Sequence, residues 1–438
     1  MKKILLLLLL FSATILNGYS IDPTDPGTIY SEKDVPPYDI HDVLTTLSGE
    51  KVTTVAQWEK LRRPEILETL STEMYGFTPA SIAKVKIKII EVNKKAINGK
   101  ATRKQVELTF IKNKKKLKVQ VLVYSPNKKN KPAPTFTILN FCGNQSIEAD
   151  SAIVISETLK KEFDKTVLRT RKPRTVRGGD ANIYPIEEII DNGLGFATAW
   201  YGDFDPDYYD GFKNGIHGLY HKKGQKHGSN DWGSLGAWAW GLSRILDYLE
   251  TDKDFDATKV AVVGHSRNAK AAIWAAAQDR RFAMCIPNNS GCGGTALMKR
   301  IYGETASSLN RRFPHWMCEN FKKYINNEDS LTIDSYDLIG LIAPRPLYIG
   351  SAEGDQWADP HGEFLGMLYA QPVYQLYGIK KFPYDTMTPL GFKVIESQIG
   401  YHYRTGYHAL THFDWEAYIE FAKYHFFKPT ESMIYNNH

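Results

Sequence analysis

Apolar residues along the chain change their spacing, and each change marks a new kind of element. Between Val55 and Tyr75 they recur at helical intervals (Trp58, Leu61, Ile66, Leu67, Leu70), which predicts a helix packed on the body of the protein. The period then drops to two. Val85-Ile87-Ile89, Val106-Leu108-Phe110 and Leu117-Val119-Val121-Val123 alternate with Lys, Gln or Glu. These predict strands with one wet face, joined by turns such as Asn98-Gly99. From about residue 136 the apolar residues come in short unbroken runs: Phe136–Phe141, Gly195–Trp200, Val260–Val263, Phe282–Ile286 and Pro346–Gly350. Such runs fit buried strands. Helical patterns alternate with them at Pro185–Asn192, Trp232–Glu250, Ala269–Ala277, Gly362–Tyr369 and Phe413–Phe426. The predicted class is α/β, with a mainly parallel central sheet and an antiparallel N-terminal part.

The ends and the composition narrow the picture. Met1 to about Ser20 has Lys2-Lys3, then the apolar run Ile4–Phe11, then small and polar residues. This is the pattern of a secretory signal peptide, too short to span a bilayer. It places the protein in the periplasm or outside the cell and leaves 21–438 as a single domain. Net charge is +6 with 24% charged residues, which asks for neither nucleic acid nor membrane but suits an acidic polysaccharide. The four cysteines, Cys142, Cys285, Cys292 and Cys318, match no metal-site spacing and read as small buried hydrophobes. The basic stretches Lys112–Lys116, Lys128–Lys131 and Arg169–Arg177 read as solvated turns and loops. Asp203, Asp205 and Asp207 read as turn acids near a site rim, since Pro206 and the lack of a later Glu exclude an EF-hand loop.

Chemistry concentrates after Val260–Val263. Gly264-His265-Ser266-Arg267 follows that strand at once, and an Ala-rich helix follows the turn. Strand, sharp turn with Ser at its apex, then helix is the setting of a nucleophile elbow. Gly264 stands two before Ser266, but Asn268 replaces the usual Gly two after, as a residue tolerant of positive φ. The loop Cys142-Gly143-Asn144-Gln145, after another predicted strand, is placed to supply an oxyanion-hole N–H.

A Ser hydroxyl needs a base, and the base needs a group to hold its tautomer. In an α/β-hydrolase the chain order is Ser, acid, His. Glu353, Asp355 and Asp359 follow the strand ending at Gly350. Asp355 is favoured, because Glu353 sits close to the strand end and Asp359 before Pro360 reads as a helix N-cap. His402, His408 and His412 come later; spacing favours His408 without excluding His412, which falls near the closing helix.

Gly264-His265-Ser266-Arg267-Asn268-Ala269-Lys270 resembles the G-x-S-R-x-G-K signature of the glucuronoyl esterases, carbohydrate esterase family 15. Asn289-Ser290-Gly291-Cys292-Gly293-Gly294, Phe313-Pro314-His315-Trp316, Pro344-Arg345-Pro346, Trp357-Ala358-Asp359-Pro360 and Gly406-Tyr407-His408 with Asp414-Trp415 are similar to segments of bacterial members. The resemblance runs from about residue 180 to the end. It implies an α/β-hydrolase three-layer sandwich, a serine esterase without metal or cofactor, and esters of 4-O-methyl-glucuronate on glucuronoxylan, including those to lignin alcohols, as substrates. It implies Ser266 as nucleophile, His408 as base and Arg267 in the oxyanion hole, with Lys270, Glu304 and Trp357 holding the uronate. Many members carry a Glu as triad acid where this chain has Asn289; other bacterial members use an Asp at the place of Asp355. The protein is expected to act as a monomer. An acetyl (xylan) esterase on the same fold, or a non-catalytic glycan-binding protein, are the competing readings.

Overall fold

Among the described residues, ten strands form one sheet in the order β1-β2-β3-β5-β4-β6-β7-β8-β10-β9. They are β1 Lys84–Ala96, β2 Ala101–Lys112, β3 Lys115–Pro126, β4 Ala133–Asn140, β5 Gly195–Trp200, β6 Phe255–His265, β7 Met284–Asn288, β8 Leu347–Ala352, β9 Lys393–Val394 and β10 Ile399–Arg404. The computed structural model describes residues 27–128, 132–163, 176–221 and 226–427. The expected signal segment 1–20 lies outside them, as do most of the Lys128–Lys131 turn and Arg169, Arg171, Lys172 and Arg174. Pairing is antiparallel from β1 through β3 to β5, parallel from β5 across to β10, and antiparallel again at β9.

Helices cover both faces, and successive residues of the central strands feed opposite cores. Val260 and Val262 belong to one buried cluster and Ala261 and Val263 to the other, as the period-two geometry of a strand requires. The helices named here are α1 Arg63–Leu70, α2 Ile186–Asp191, α3 Ser234–Thr251, α4 Arg267–Gln278, α5 Pro360–Leu376 and α6 His412–Phe427. The first face is packed by α1, α3, α4 and α5 through Ile66, Trp238, Ile245, Trp274 and Met367. The second is packed by α2 and α6 through Ile189, Trp415, Tyr418 and Phe421. Layers of helix, sheet and helix around a parallel centre make the fold an α/β-hydrolase sandwich, and the class read from the residue pattern holds.

Some boundaries differ from the pattern. The Val55–Tyr75 segment is helical throughout, but α1 is flanked by π-helical turns at Trp58–Arg62 and Ser71–Tyr75. The strand expected at Phe282–Ile286 is β7, two residues further on. The helix expected to end at Tyr369 runs on to Leu376 with Pro372 inside it. In β1 the apolar positions are not covered: Ile87, Ile89 and Val92 stay exposed. β1 is the edge strand, where Lys84, Lys86 and Lys88 discourage further pairing. All four cysteines are buried, as expected.

Candidate active site

One row of residues crosses the sheet near the C-terminal ends of the parallel strands. His265 of β6 lies opposite Asn288 of β7, Asn288 opposite Gly350 of β8, and Gly350 opposite His402 of β10. Ser266 and Asn289 are therefore neighbours at the sheet rim, and the chains leaving β8 and β10 emerge beside them.

Ser266 has φ 58 and ψ −133, a conformation that non-glycine residues rarely adopt. A Cβ on Gly264 would lie 2.2 Å from the Asn268 carbonyl oxygen, so the tight turn requires glycine there. Asn268 does not carry a positive φ as its place in the motif suggested; it is already inside α4, and the strain falls on Ser266 alone. Instead the Asn268 side-chain amide donates to the Leu139 carbonyl at 3.0 Å and ties α4 to β4. The Ala269 and Lys270 amides return to the Ser266 carbonyl. The Arg267 amide, ahead of them in the first turn, has no intrahelical acceptor.

His408 Nε2 is 2.8 Å from Ser266 Oγ, and its Nδ1 is 2.6 Å from Asp355 Oδ2. Asp355 is almost wholly buried. Burial pushes its carboxyl up, but the charge and hydrogen bond of His408 and the amide of Asn289 outweigh this and hold it below the usual range. Asn289 Nδ2 donates to the same Oδ2 at 2.7 Å. The other candidates lie elsewhere. Glu353 is exposed, and Asp359 caps α5 at Gly362 and pairs with Arg300. His402 is buried against Asp414, and His412 lies in the first turn of α6, bonded to Glu188.

The His408 loop is cradled from below by Arg404 at the end of β10. Its guanidinium donates to the carbonyls of Thr405 at 3.0 Å and Ala409 at 2.6 Å, on either side of His408. Asp414 takes the Arg404 Nε at 2.9 Å and also accepts from the Thr411 amide, the Asn288 amide and His402. His265 packs beside His408 with ring centroids 4.6 Å apart, its Nδ1 2.7 Å from Asn288 Oδ1. Burial and the neighbouring His408 push its imidazole down to about 3, so it is neutral at working pH.

Arg267 reaches across to Asp207 and lies over the rings of Trp316 and Phe313, 4.7 and 5.1 Å from their centroids. Its Nε is buried without a hydrogen-bond partner. Asp207 also accepts from Trp316 Nε1 at 2.9 Å and Tyr201 at 2.9 Å, and meets His315 Nε2 at 3.1 Å. Burial works against its charge, but Arg267 and His315 dominate and hold it well below the usual carboxylate range. The three acids read as turn residues are thus hydrogen-bonding hubs, with Asp203 and Asp205 buried and Asp207 half-buried. Asp203 takes the Ser156 hydroxyl and the Gln120 amide, and Asp205 takes Ser234 and pairs with His217. In the loop Cys142-Gly143-Asn144-Gln145, expected to supply an oxyanion-hole N–H, the Gly143 N–H donates to Asn140 Oδ1 at 2.8 Å, ahead of a 3-10 turn at Asn144–Ser146.

Lys270, Glu304 and Trp357 come together. Lys270 Nζ donates to Glu304 Oε2 at 2.6 Å, and Trp357 Nε1 donates to Glu304 Oε1 at 3.2 Å. Lys270 is buried, and its other two N–H groups go to the carbonyls of Ser290 and Cys292. All three of its donors are engaged, so a sugar hydroxyl reaches it only by displacing one of these acceptors. Glu363 is a further hub that the sequence reading passed over. It takes the Ser290 and Gly291 amides and the hydroxyls of Ser290, Thr295 and Ser351, fixing the chain that holds Lys270.

The arrangement has the parts for acyl transfer: a hydroxyl on a strained turn, an imidazole within reach of it, a carboxylate behind the imidazole, and an anchored cation on the next residue of the chain. A family model described as "Glucuronyl esterase, fungi" matches residues 217–378. A "Carbohydrate esterase MZ0003" from an unknown prokaryotic organism is 42% identical over 406 residues, 91% of this chain and 92% of that protein. A "4-O-methyl-glucuronoyl methylesterase" of Podospora anserina is 36% identical over 174 residues, 37% of this chain and 36% of that protein. The solved glucuronoyl esterase from Solibacter usitatus is 43% identical with a TM-score of 0.83, covering 90% of this chain and 99% of that one.

Proposed function

Because this chain belongs to the glucuronoyl esterases, carbohydrate esterase family 15, we propose that it hydrolyses esters of (4-O-methyl-)glucuronate on glucuronoxylan, including those that join xylan to lignin alcohols. The observation that carries the reading is the line from Ser266 Oγ through His408 to Asp355, at 2.8 and 2.6 Å. Ser266 Oγ attacks the ester carbonyl carbon while His408 Nε2 takes its proton, and Asp355 stabilises the resulting imidazolium. The tetrahedral oxyanion is met by the Arg267 amide and guanidinium, the latter held by Asp207. Collapse breaks the bond to the alcohol, which leaves with the proton from His408. Water, deprotonated by the same imidazole, then releases glucuronate and restores Ser266.

The sugar is recognised by Glu304 and Trp357. A carboxylate binds sugar hydroxyls through charge-assisted hydrogen bonds, and an indole face suits the apolar side of the ring. Lys270 acts one step back, by holding Glu304 in place. The Met1–Ser20 signal pattern and a polymeric substrate both support a site of action in the periplasm or outside the cell.

The test is hydrolysis of a benzyl or methyl ester of glucuronate beside an acetyl ester of similar leaving group, with Ser266→Ala as control. Preference for the uronate ester, abolished in the variant, is the expected result. Preference for the acetyl ester would keep the nucleophile and refute the uronate pocket.

A further inference from the structure

Away from Ser266, two histidines and a carboxylate come to one point. His221 Nε2 and His227 Nδ1 face each other at 3.4 Å. Asp231 Oδ2 lies 4.0 Å from the first and 3.9 Å from the second. Among the described residues this is the one group of three His, Cys, Asp or Glu side chains whose ligand atoms all lie within 4.8 Å of one another. Donors around a tetrahedral zinc ion, each about 2.0–2.1 Å from the metal, sit roughly 3.3 Å apart. The two nitrogens already have that spacing, and the carboxylate needs to move by about 0.7 Å.

The surroundings fix these side chains. The His227 ring stacks on Phe212 with centroids 3.8 Å apart and planes 13° from parallel. The His221 ring hydrogen-bonds the backbone of Phe212, and its own backbone is held by His217 and Lys115. The Gly228 amide donates to Asp231 Oδ2 at 2.7 Å, which orients the carboxylate and leaves lone pairs on both oxygens. Second contacts of this kind are what hold metal ligands in place. His217 is not a fourth ligand: both its ring nitrogens are engaged, with Asp205 Oδ1 at 2.7 Å and the Trp232 carbonyl at 2.9 Å. The side chains of His221 and His227 are 15% and 14% exposed and that of Asp231 37%, so an ion can enter from solvent and keep a water as fourth ligand.

We propose that His221, His227 and Asp231 form a binding site for a divalent transition ion, with Zn²⁺ as the fitting occupant, that ties His221, at the end of the helix Gly215–Tyr220, to His227 and Asp231. Two imidazoles and a carboxylate suit Zn²⁺ better than Ca²⁺ or Mg²⁺, which take oxygen ligands. The site stands apart from the ester chemistry and has no step in it. Its effect is on stability, because an ion that binds only the folded chain raises the melting midpoint.

The test uses the full chain stripped of metal with EDTA. Calorimetric titration with ZnCl₂ is expected to show one site of about micromolar affinity or tighter, and saturation to raise the thermal midpoint by roughly 3 °C. His221→Ala and His227→Ala are each expected to weaken binding at least about tenfold, while His412→Ala, on the opposite helix layer, leaves it unchanged. Co²⁺ added to the unaltered protein is expected to give the visible absorption bands of a four-coordinate ion, a readout that needs no variant to fold. Equal zinc affinity in the His221 and His227 variants, or neither a cobalt band nor a midpoint rise, overturns the proposal.

Discussion

Asp355→Asn is the sharpest test of how the site works. Asp355 Oδ2 accepts two N–H groups, from His408 at 2.6 Å and Asn289 at 2.7 Å. When His408 takes the Ser266 proton, a positive ring forms beside a carboxylate that is already ionised and buried. Two unit charges about 4 Å apart interact by about 4 kcal/mol at an effective dielectric near 20. Losing that term alone slows the reaction about a thousandfold. An amide can also turn its N–H toward the imidazole and favour the wrong tautomer, which moves the expected loss in kcat toward ten-thousandfold. KM should stay within about threefold, because Asp355 does not line the Glu304–Trp357 side of the site.

The companion variant is Asn289→Gly. Asn289 has φ 46, so glycine keeps the backbone without strain and removes only the amide. A hydrogen bond to a charged group contributes about 1.5–3 kcal/mol, and part of it acts equally before and after proton transfer. A loss of about tenfold in kcat is expected. The assay is release of benzyl alcohol from benzyl glucuronate under saturating and limiting substrate, with thermal melts to show that both variants fold. If Asp355→Asn keeps more than a tenth of the activity while Asn289→Gly abolishes it, Asp355 is not the acid and the electrostatic argument fails.

Two further predictions follow from the acids of the 203–207 segment. Asp207→Asn should lower kcat about 10- to 100-fold with little change in KM, because it frees Arg267 from its anchor rather than removing a sugar contact; a rise in KM alone would refute this. Asp203→Asn tests stability against pH. Burial raises the Asp203 carboxyl to about 7, opposed by its bonds to Ser156 and Gln120. A raised value in the folded state means that its stabilisation is complete below pH 3.8 and is lost as pH rises toward 7, by up to about 4 kcal/mol. Thermal melts should therefore show Asp203→Asn gaining on the parent protein between pH 4 and 7, and parallel curves would refute the shift.

The sheet was legible because its strands differ in pattern: β2 and β3 alternate, while β4 through β8 each carry a short, mainly apolar run that is buried on both faces. Ser266 was legible because a strand, one tight turn and a helix leave a local signature. The acids that anchor Arg267 and the Ser290 turn were not. Asp207 lies sixty residues from Arg267 and Glu363 seventy-three from Ser290, separations set by the crossovers between parallel strands and by nothing local. Asp203, Asp205 and Asp207 resemble ordinary turn acids in sequence, and partners distant in the chain turn them inward: Ser156 and Gln120 for Asp203, α3 for Asp205 and the 315–316 segment for Asp207. Arg267 was the one available clue, since a cation placed beside a nucleophile in a helix-start turn needs a counter-charge to stay put.

Each chemical group at the sheet rim is steadied by a buried or half-buried charge one layer below it. Arg404 and Asp414 hold the loop of His408, Asp207 holds Arg267, and Glu363 holds the turn that engages Lys270. Burying a charge costs several kcal/mol unless its hydrogen-bonding capacity is filled. That condition explains why these acids each collect several donors, Glu363 as many as five. An apolar core would be as stable, but it could not fix a guanidinium or an imidazole to within the few tenths of an ångström that acyl transfer needs. The same reasoning separates the two kinds of polar residue in this protein. Those whose hydrogen bonds are saturated, such as Asp414 and Lys270, set geometry, and those held by one partner, such as the Ser266 hydroxyl on His408, are left to do chemistry.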